Sequence, residues 1–499
     1  LMTQYQTLGN PSKIQIVEIG PGKGTLICDI VRSAIETFPD FASALTSSTA
    51  DDDVAATKEG EAEESAKRKN NKLAIGVHLV EVMNGMRARQ RESLENLQNE
   101  KCIVEKRYSF QFTDENISPD DEDEPEQQPS VASDNDKEEQ QQQPTQENTI
   151  HFSWHDVLSS VPTHDAVTGE PIPTFIICQE LVDALPIHSF QKIEGDVWRE
   201  RLVDVAIRDE QEASEAKEDV RLAVARRYAS AEPEDGTASV SEPPSASSAG
   251  TSSSSSSSSP SEGNAKKTPR LRFVLPPDTT PALRTILRVD GRGAPLDDNP
   301  MASSLNSLPV GSIIEACPEG LLLAQDIATR IEKCRGAALL IDYGGDGSTG
   351  GDTLRGFLKH KQVHPLSRPG EADVTADVDF GALREAVNSR ISLEESLRQK
   401  HQKESGVLNN TPTILEKTKA SSANRPDAFG PITQGKFLAQ MGIVQRVETK
   451  IEDAATTDEE AEELFLALER LVSTEEMGER YKVMAIAVKK EGLFPPPGF

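Results

Sequence analysis

Hydrophobic positions along the chain fall in short runs and helical stripes, separated by glycines and by long polar stretches. Residues 13–20 (KIQIVEIG) form an apolar run that ends in glycine and predict a buried strand. Behind them Leu26, Ile27, Ile30, Val31, Ala34, Ile35 and Phe38 recur at three- and four-residue spacing, which predicts a helix over residues 25–38. Residues 77–82 (VHLVEV) repeat the strand signal, with a helical stretch over 83–97. Residues 174–178 (TFIIC) and 337–342 (AALLID) read as two further buried strands, the second preceded by a helix over 319–334. Towards the C-terminus, residues 459–472 read as an amphipathic helix and 481–489 (YKVMAIAVK) as a final strand. This alternation predicts an α/β fold with a doubly wound sheet.

Four polar interruptions break the pattern, at about 42–70, 114–148, 209–268 and 399–425. They include the run DDEDEPEQQP and eight consecutive serines, Ser252 to Ser259, and are poor in the apolar residues that offset the entropy of ordering a chain. Each reads as a disordered insertion. Removing them leaves about 350 residues, enough for one elaborated domain spanning 1–499.

Composition supports that division. The chain has 499 residues, 53 basic and 83 acidic, for a net charge of −30, and only 36% are hydrophobic. Much of the acidity is local, with 12 acidic residues between Asp114 and Glu139 against one lysine. Strong negative charge argues against a nucleic-acid surface. No stretch approaches the roughly 20 apolar residues of a membrane helix. The five cysteines, Cys28, Cys102, Cys178, Cys317 and Cys334, never form a C-x-x-C pair, and His188, His360 and His364 lack metal-ligand spacing, so no metal site is expected. The opening Leu1-Met2-Thr3 carries no recognisable leader, and the natural N-terminus is expected to lie upstream.

Candidate chemistry gathers at the ends of the strands. Glu18-Ile19-Gly20-Pro21-Gly22-Lys23-Gly24 stands between the first strand and its helix, where glycines let the backbone turn tightly and approach a ligand at the helix N-terminus. A dinucleotide fingerprint would place its third glycine where Thr25 stands, and Gly24 comes one residue early. The spacing instead matches the first motif of S-adenosylmethionine (SAM) dependent methyltransferases. Glu81, at the end of the second strand, is placed to accept hydrogen bonds from a ribose diol. Glu180 and Asp183 follow the strand at 174–178, three positions apart, so a helical turn would set them on one side; they fit either a pair of convergent carboxylates or the charge pattern of a helix start. Asp342 to Gly347 (DYGGDG) makes another carboxyl-edge loop.

Taken together, VEIGPGKGTL, HLVEV, ELVDALPIHSFQ, IDYGGDG, the run DTLRGFLKHKQVHPLSRPGEADVTADVDF, GPITQGKFLAQMGI and MGERYKV resemble the MidA-like mitochondrial methyltransferases, a family of complex I assembly factors and protein arginine methyltransferases. The resemblance covers nearly all of the ordered chain. It implies a Rossmann-like SAM-dependent methyltransferase fold, with SAM held by Glu18, Gly20, Gly22, Gly24 and Glu81. It implies symmetric dimethylation of an arginine on a mitochondrial complex I subunit, in the matrix, with Glu180 and Asp183 as the catalytic carboxylates. The family usually has Asn-Glu-Phe-Phe where this chain has Gln179-Glu180-Leu181-Val182. It also carries a TSPEIS-like segment ahead of the first strand, which is missing here. Two other functions compete: an assembly chaperone that keeps the fold without catalysis, disfavoured by retention of Glu18, the three glycines and Glu81, and a nicotinamide-dependent oxidoreductase, disfavoured by Thr25.

Overall fold

The computed structural model of the chain describes residues 5–6, 8–9, 11–37, 74–105, 108–114, 148–206, 270–347, 351–389, 426–488 and 495–499. These divide into two compact units, one drawn from Leu1–Glu200, Asp278–Leu354 and Thr375–Phe499, the other from Arg201–Pro277 and Arg355–Val374. The expected insertions at 42–70, 209–268 and 399–425 lie outside the described residues, as does all of 114–148 except its two ends.

A nine-stranded sheet organises the first unit. Its strands are β1 (Lys13–Ile19), β2 (Ala74–Val80), β3 (Tyr108–Asp114), β4 (Asn148–His155), β5 (Thr174–Gln179), β6 (Gly336–Gly345), β7 (Val378–Asp379), β8 (Pro426–Thr433) and β9 (Tyr481–Val488). They are ordered β8-β9-β6-β5-β1-β2-β4-β3, with β7 beside β6. Strands β6, β5, β1, β2, β4 and β3 run parallel, so their carboxyl ends meet along one edge. Strand β9 pairs antiparallel with β6 and with β8, so its first residue, Tyr481, lies opposite Tyr343 near the carboxyl end of β6.

Helices cover both faces. Helices α1 (Thr25–Thr37) and α2 (Asn84–Gln98) pack on one side, where Ile14, Ile16, Ile27, Val31, Ile35, Val77, Leu94, Phe152 and Trp154 share a core. Helix α3 (Pro318–Cys334) covers the other, with Val17, Ile19, Ile176, Ile327, Ile331, Leu340 and Met484. The alternation is visible within β1 itself, whose Ile14 and Ile16 face one layer and Val17 and Ile19 the other. Each fully buried aliphatic side chain contributes about 1.5–3 kcal/mol relative to exposure, and a strand buried on both faces collects this from every position. The last expected helix is α4 (Asp458–Val472), whose start is fixed by a capping box: Thr457 Oγ1 accepts the Glu460 N–H, and Glu460 Oε2 accepts the Thr457 N–H at 2.9 Å.

The doubly wound expectation is met, and four sheet strands, β3, β4, β7 and β8, add to it. Strands β3 and β4 flank the acidic stretch, so Asp114 and Asn148, set at its ends from the sequence, are strand residues. Asp114 is held there by the guanidinium of the buried Arg87 on α2, which also pairs with Asp156. The second unit contains the antiparallel pair Leu202–Ala206 and Arg270–Val274 and the hairpin of Arg355–Leu358 with Lys361–Val363. In it the Arg201 guanidinium lies over the Phe273 ring, 4.3 Å from its centroid.

Candidate active site

The carboxyl ends of β1, β2, β5 and β6 place two groups of polar side chains along one edge of the sheet. The first surrounds the turn between β1 and α1. Gly20, Gly22 and Gly24 all have positive φ (65°, 53° and 79°), a backbone that side-chain-bearing residues rarely adopt. Their surroundings differ. A Cβ on Gly22 would meet nothing within 4 Å, one on Gly20 would lie 2.7 Å from Leu181 Cδ1, and one on Gly24 would touch Gln90 of α2 at 3.4 Å. Gly22 therefore faces open space, while its neighbours permit close packing.

Glu18 sits directly beneath this turn, only 4% exposed. The backbone N–H of Ile27, in the first turn of α1, bonds its carboxylate, yet Oε2 is buried without a partner among the described residues. Burial pushes its carboxyl up to about 8, opposed by the Ile27 bond. On the other side of the turn, Glu81 Oε1 accepts the Met83 N–H at 3.0 Å and Oε2 accepts Gln90 Nε2 at 3.2 Å. Gln90 also donates to the Gly22 carbonyl at 2.8 Å, so one amide joins the glycine turn to the acid after β2.

The second group lies past β5. Glu180 is exposed and left-handed (φ 48°), its N–H bonded to the Ile341 carbonyl and its Oε1 accepting the Tyr481 hydroxyl at 3.0 Å. Asp183 falls in a one-turn 3₁₀ segment, Val182–Ala184, and is 8% exposed. Its Oδ2 accepts the Tyr343 hydroxyl, which also bonds Thr375, while Oδ1 is buried without a partner among the described residues. The two acids thus join through two phenols rather than by direct stacking on a helix, and the rings of Tyr343 and Tyr481 meet edge to face at 5.5 Å. Beneath them Asp342 braces the turn, taking the Val182 and Asp183 N–H groups on Oδ2 and the Tyr343 N–H on Oδ1. Burial, and then the nearby Asp183, push Asp342 up to about 8. Leu181, between Glu180 and Asp183, is the side chain that packs on Gly20, so the two groups adjoin.

Sequence reasoning named Glu18, Gly20, Gly22, Gly24, Glu81, Glu180 and Asp183. It did not single out Gln90, Tyr343, Tyr481 or Thr375, whose hydrogen bonds join elements far apart in the chain. His188 bonds Glu200 at 2.6 Å, and His360 and His364 belong to the second unit. Among the described residues no group of three or more His, Cys, Asp or Glu could hold a metal ion, and no helix is long and apolar enough to cross a membrane.

An open glycine turn, a buried acid with an unmet oxygen at a helix start, and an acid after the second strand thus gather along the carboxyl edge of the parallel sheet. The chain belongs to a family of S-adenosyl-L-methionine-dependent methyltransferases, whose sequence profile matches residues 1–50 and 63–396, and SAM is its cofactor. The residues fit that cofactor: among the described residues nothing donates to Glu18 Oε2, which can accept from a ligand, and Gly22 leaves room for one. Among curated relatives, the rat protein arginine methyltransferase NDUFAF7, mitochondrial, is 25% identical over 97% of this chain and 69% of its own length. The human protein of the same name is 24% identical over 97% and 68%. A Drosophila melanogaster homologue is 24% identical over 97% and 70%. Two solved structures from Burkholderia thailandensis align at 16% identity with TM-scores of 0.48. One covers 100% of this chain and 78% of its own; the other, which holds S-adenosyl-homocysteine, 99% and 75%.

Proposed function

We propose that this methyltransferase acts on protein arginine, with symmetric dimethylation, and that its acceptor is a complex I subunit methylated during assembly of the complex in the mitochondrial matrix. The names of the curated relatives support arginine and the mitochondrion. The observation that carries the reading is the carboxylate pair, Glu180 and Asp183, next to the glycine turn, with one buried oxygen of Asp183 free to accept.

In this reading Glu18, Gly20, Gly22, Gly24 and Glu81 hold the cofactor, Glu81 on the ribose side and Glu18 on the amino-acid side. Bound SAM supplies an electrophilic methyl on a sulfonium. The chain's task is alignment and exclusion of water. Arginine stays protonated in proteins, so no side-chain base fully removes its proton before attack. Glu180 and Asp183 grip the guanidinium through charge-assisted bonds and concentrate electron density on one nitrogen. Tyr481 and Tyr343 fix the two carboxylates, and Asp342 fixes the turn that carries Asp183. The proton lost by the methylated nitrogen has an exit at Glu180, whose side chain is exposed.

The deciding experiment is single-turnover methylation of an arginine peptide from a complex I subunit, comparing wild type with Glu180→Gln at equal folded concentration. The substitution keeps the shape and removes a charge, so transfer should fall by orders of magnitude while SAM affinity holds. An unchanged rate would leave the carboxylate grip without support.

A further inference from the structure

Gln90 is wholly buried on α2, and its amide makes three hydrogen bonds. Its Oε1 accepts the Trp154 indole N–H at 2.8 Å, and its Nε2 donates to the Gly22 carbonyl at 2.8 Å and to Glu81 Oε2 at 3.2 Å. An indole N–H only donates, so the amide can point one way: oxygen to Trp154, nitrogen to the turn. Both amide hydrogens are used and the side chain has no freedom to rotate. Gly24 lies against α2, where a Cβ would come into van der Waals contact with the Gln90 Cα at 3.4 Å.

We propose that Gln90 is a positioning residue for the ribose of the cofactor, acting through Glu81. The proposal rests on Glu81 being the ribose acid. Glu81 already spends one acceptor site of Oε1 on the Met83 N–H and one of Oε2 on Gln90. Each carboxylate oxygen keeps a second lone pair, one for each hydroxyl of a ribose diol. Gln90 thus fixes the rotation of the carboxylate and, through the Gly22 carbonyl, its distance from the turn that cradles the rest of the ligand. A fixed acceptor discriminates between ligands that differ by one hydroxyl, whereas a freely turning one re-pairs with water.

The test is the ratio of affinities for S-adenosyl-homocysteine and its 2′-deoxy analogue, by calorimetry, in wild type, Gln90→Leu and Gln90→Glu. Wild type should prefer the ribose ligand by about tenfold or more, the scale of one hydrogen bond to a charged acceptor. Both variants should bind the two ligands within about threefold of each other, Gln90→Glu because it keeps the shape and loses the donors. A variant that weakens both ligands equally and keeps the wild-type ratio would show Gln90 to be only structural. Absence of a ribose preference in wild type would overturn the ribose reading of Glu81 together with this one. Wild type also carries its own reporter. The protein's two tryptophans give two indole N–H resonances, and that of Trp154 should move on saturation with the ribose ligand and move less with the deoxy analogue. Equal displacement by both would overturn the proposal without recourse to a variant.

Discussion

Tyr481 and Glu180 stand 301 positions apart in the chain and meet at 3.0 Å, the phenol donating to the carboxylate. That bond is the visible restraint on a side chain otherwise exposed to solvent. Removing it in Tyr481→Phe leaves Glu180 free to swing away from an acceptor. Methyl transfer should drop about tenfold or more, chiefly through kcat, with S-adenosyl-homocysteine affinity unchanged. Calorimetry and single-turnover rates on the same preparation check both halves.

Glu180 holds a left-handed backbone that costs a non-glycine residue about 1–2 kcal/mol. Relief of that strain in Glu180→Gly should raise stability by about 1 kcal/mol or leave it level, while transfer is lost. Thermal melts read beside activity would show the two moving in opposite directions. A stability loss of several kcal/mol would instead make Glu180 a structural residue.

Gly22→Val addresses the open side of the turn. Its positive φ costs the folded state about 1–2 kcal/mol, but its Cβ meets no atom within 4 Å. Loss of cofactor affinity should therefore exceed what destabilisation explains. Binding of S-adenosyl-homocysteine at a temperature where the variant is fully folded should fall by more than tenfold. Equal affinity in the two proteins would remove the turn from the binding site.

Glu18 links binding to protons. With its carboxyl held up at about 8, it is largely protonated at pH 7 in the free protein. An ammonium brought beside it favours the ionised form, so cofactor binding at pH 7 should release protons, and the release should fade by pH 9. Calorimetry in buffers of different ionisation enthalpy measures this directly, and Glu18→Gln should abolish it. The same shift acts on stability with a defined sign. Between the unfolded carboxyl value near 4.3 and about 8 the folded form keeps a proton that the unfolded form has lost, so stability falls as pH rises through that window. Asp342 adds the same slope, so Glu18→Gln should flatten it in part.

The main α/β layers were legible because each element carries its own signal. Strand β1 is a short, largely apolar run ended by glycine, and α1 is an apolar stripe behind it, so neither depends on distant partners for recognition. Strands β3 and β4 were not seen, although their aromatic and polar residues alternate, because each abuts the acidic stretch; β4 pairs with both β2 and β3. The site divides the same way. Glu18, the glycines and Glu81 announce themselves by position after a strand. Gln90 and Tyr343 acquire meaning only through bonds spanning 68 and 160 residues, from Gln90 to Gly22 and from Tyr343 to Asp183, and no local pattern encodes such a meeting.

The reversed direction of β9 has a consequence for the making of the protein. Because that strand runs against its neighbour, it is its first residue, Tyr481, and not its last, that lies at the carboxyl edge. Everything on the cofactor side is synthesised far earlier, from Glu18 to Gln90. A nascent chain, or a product of early termination before residue 481, carries the glycine turn and both nucleoside-side acids but lacks the phenol that restrains Glu180. The phenol that restrains Glu180 is thus among the last parts of the protein to be synthesised.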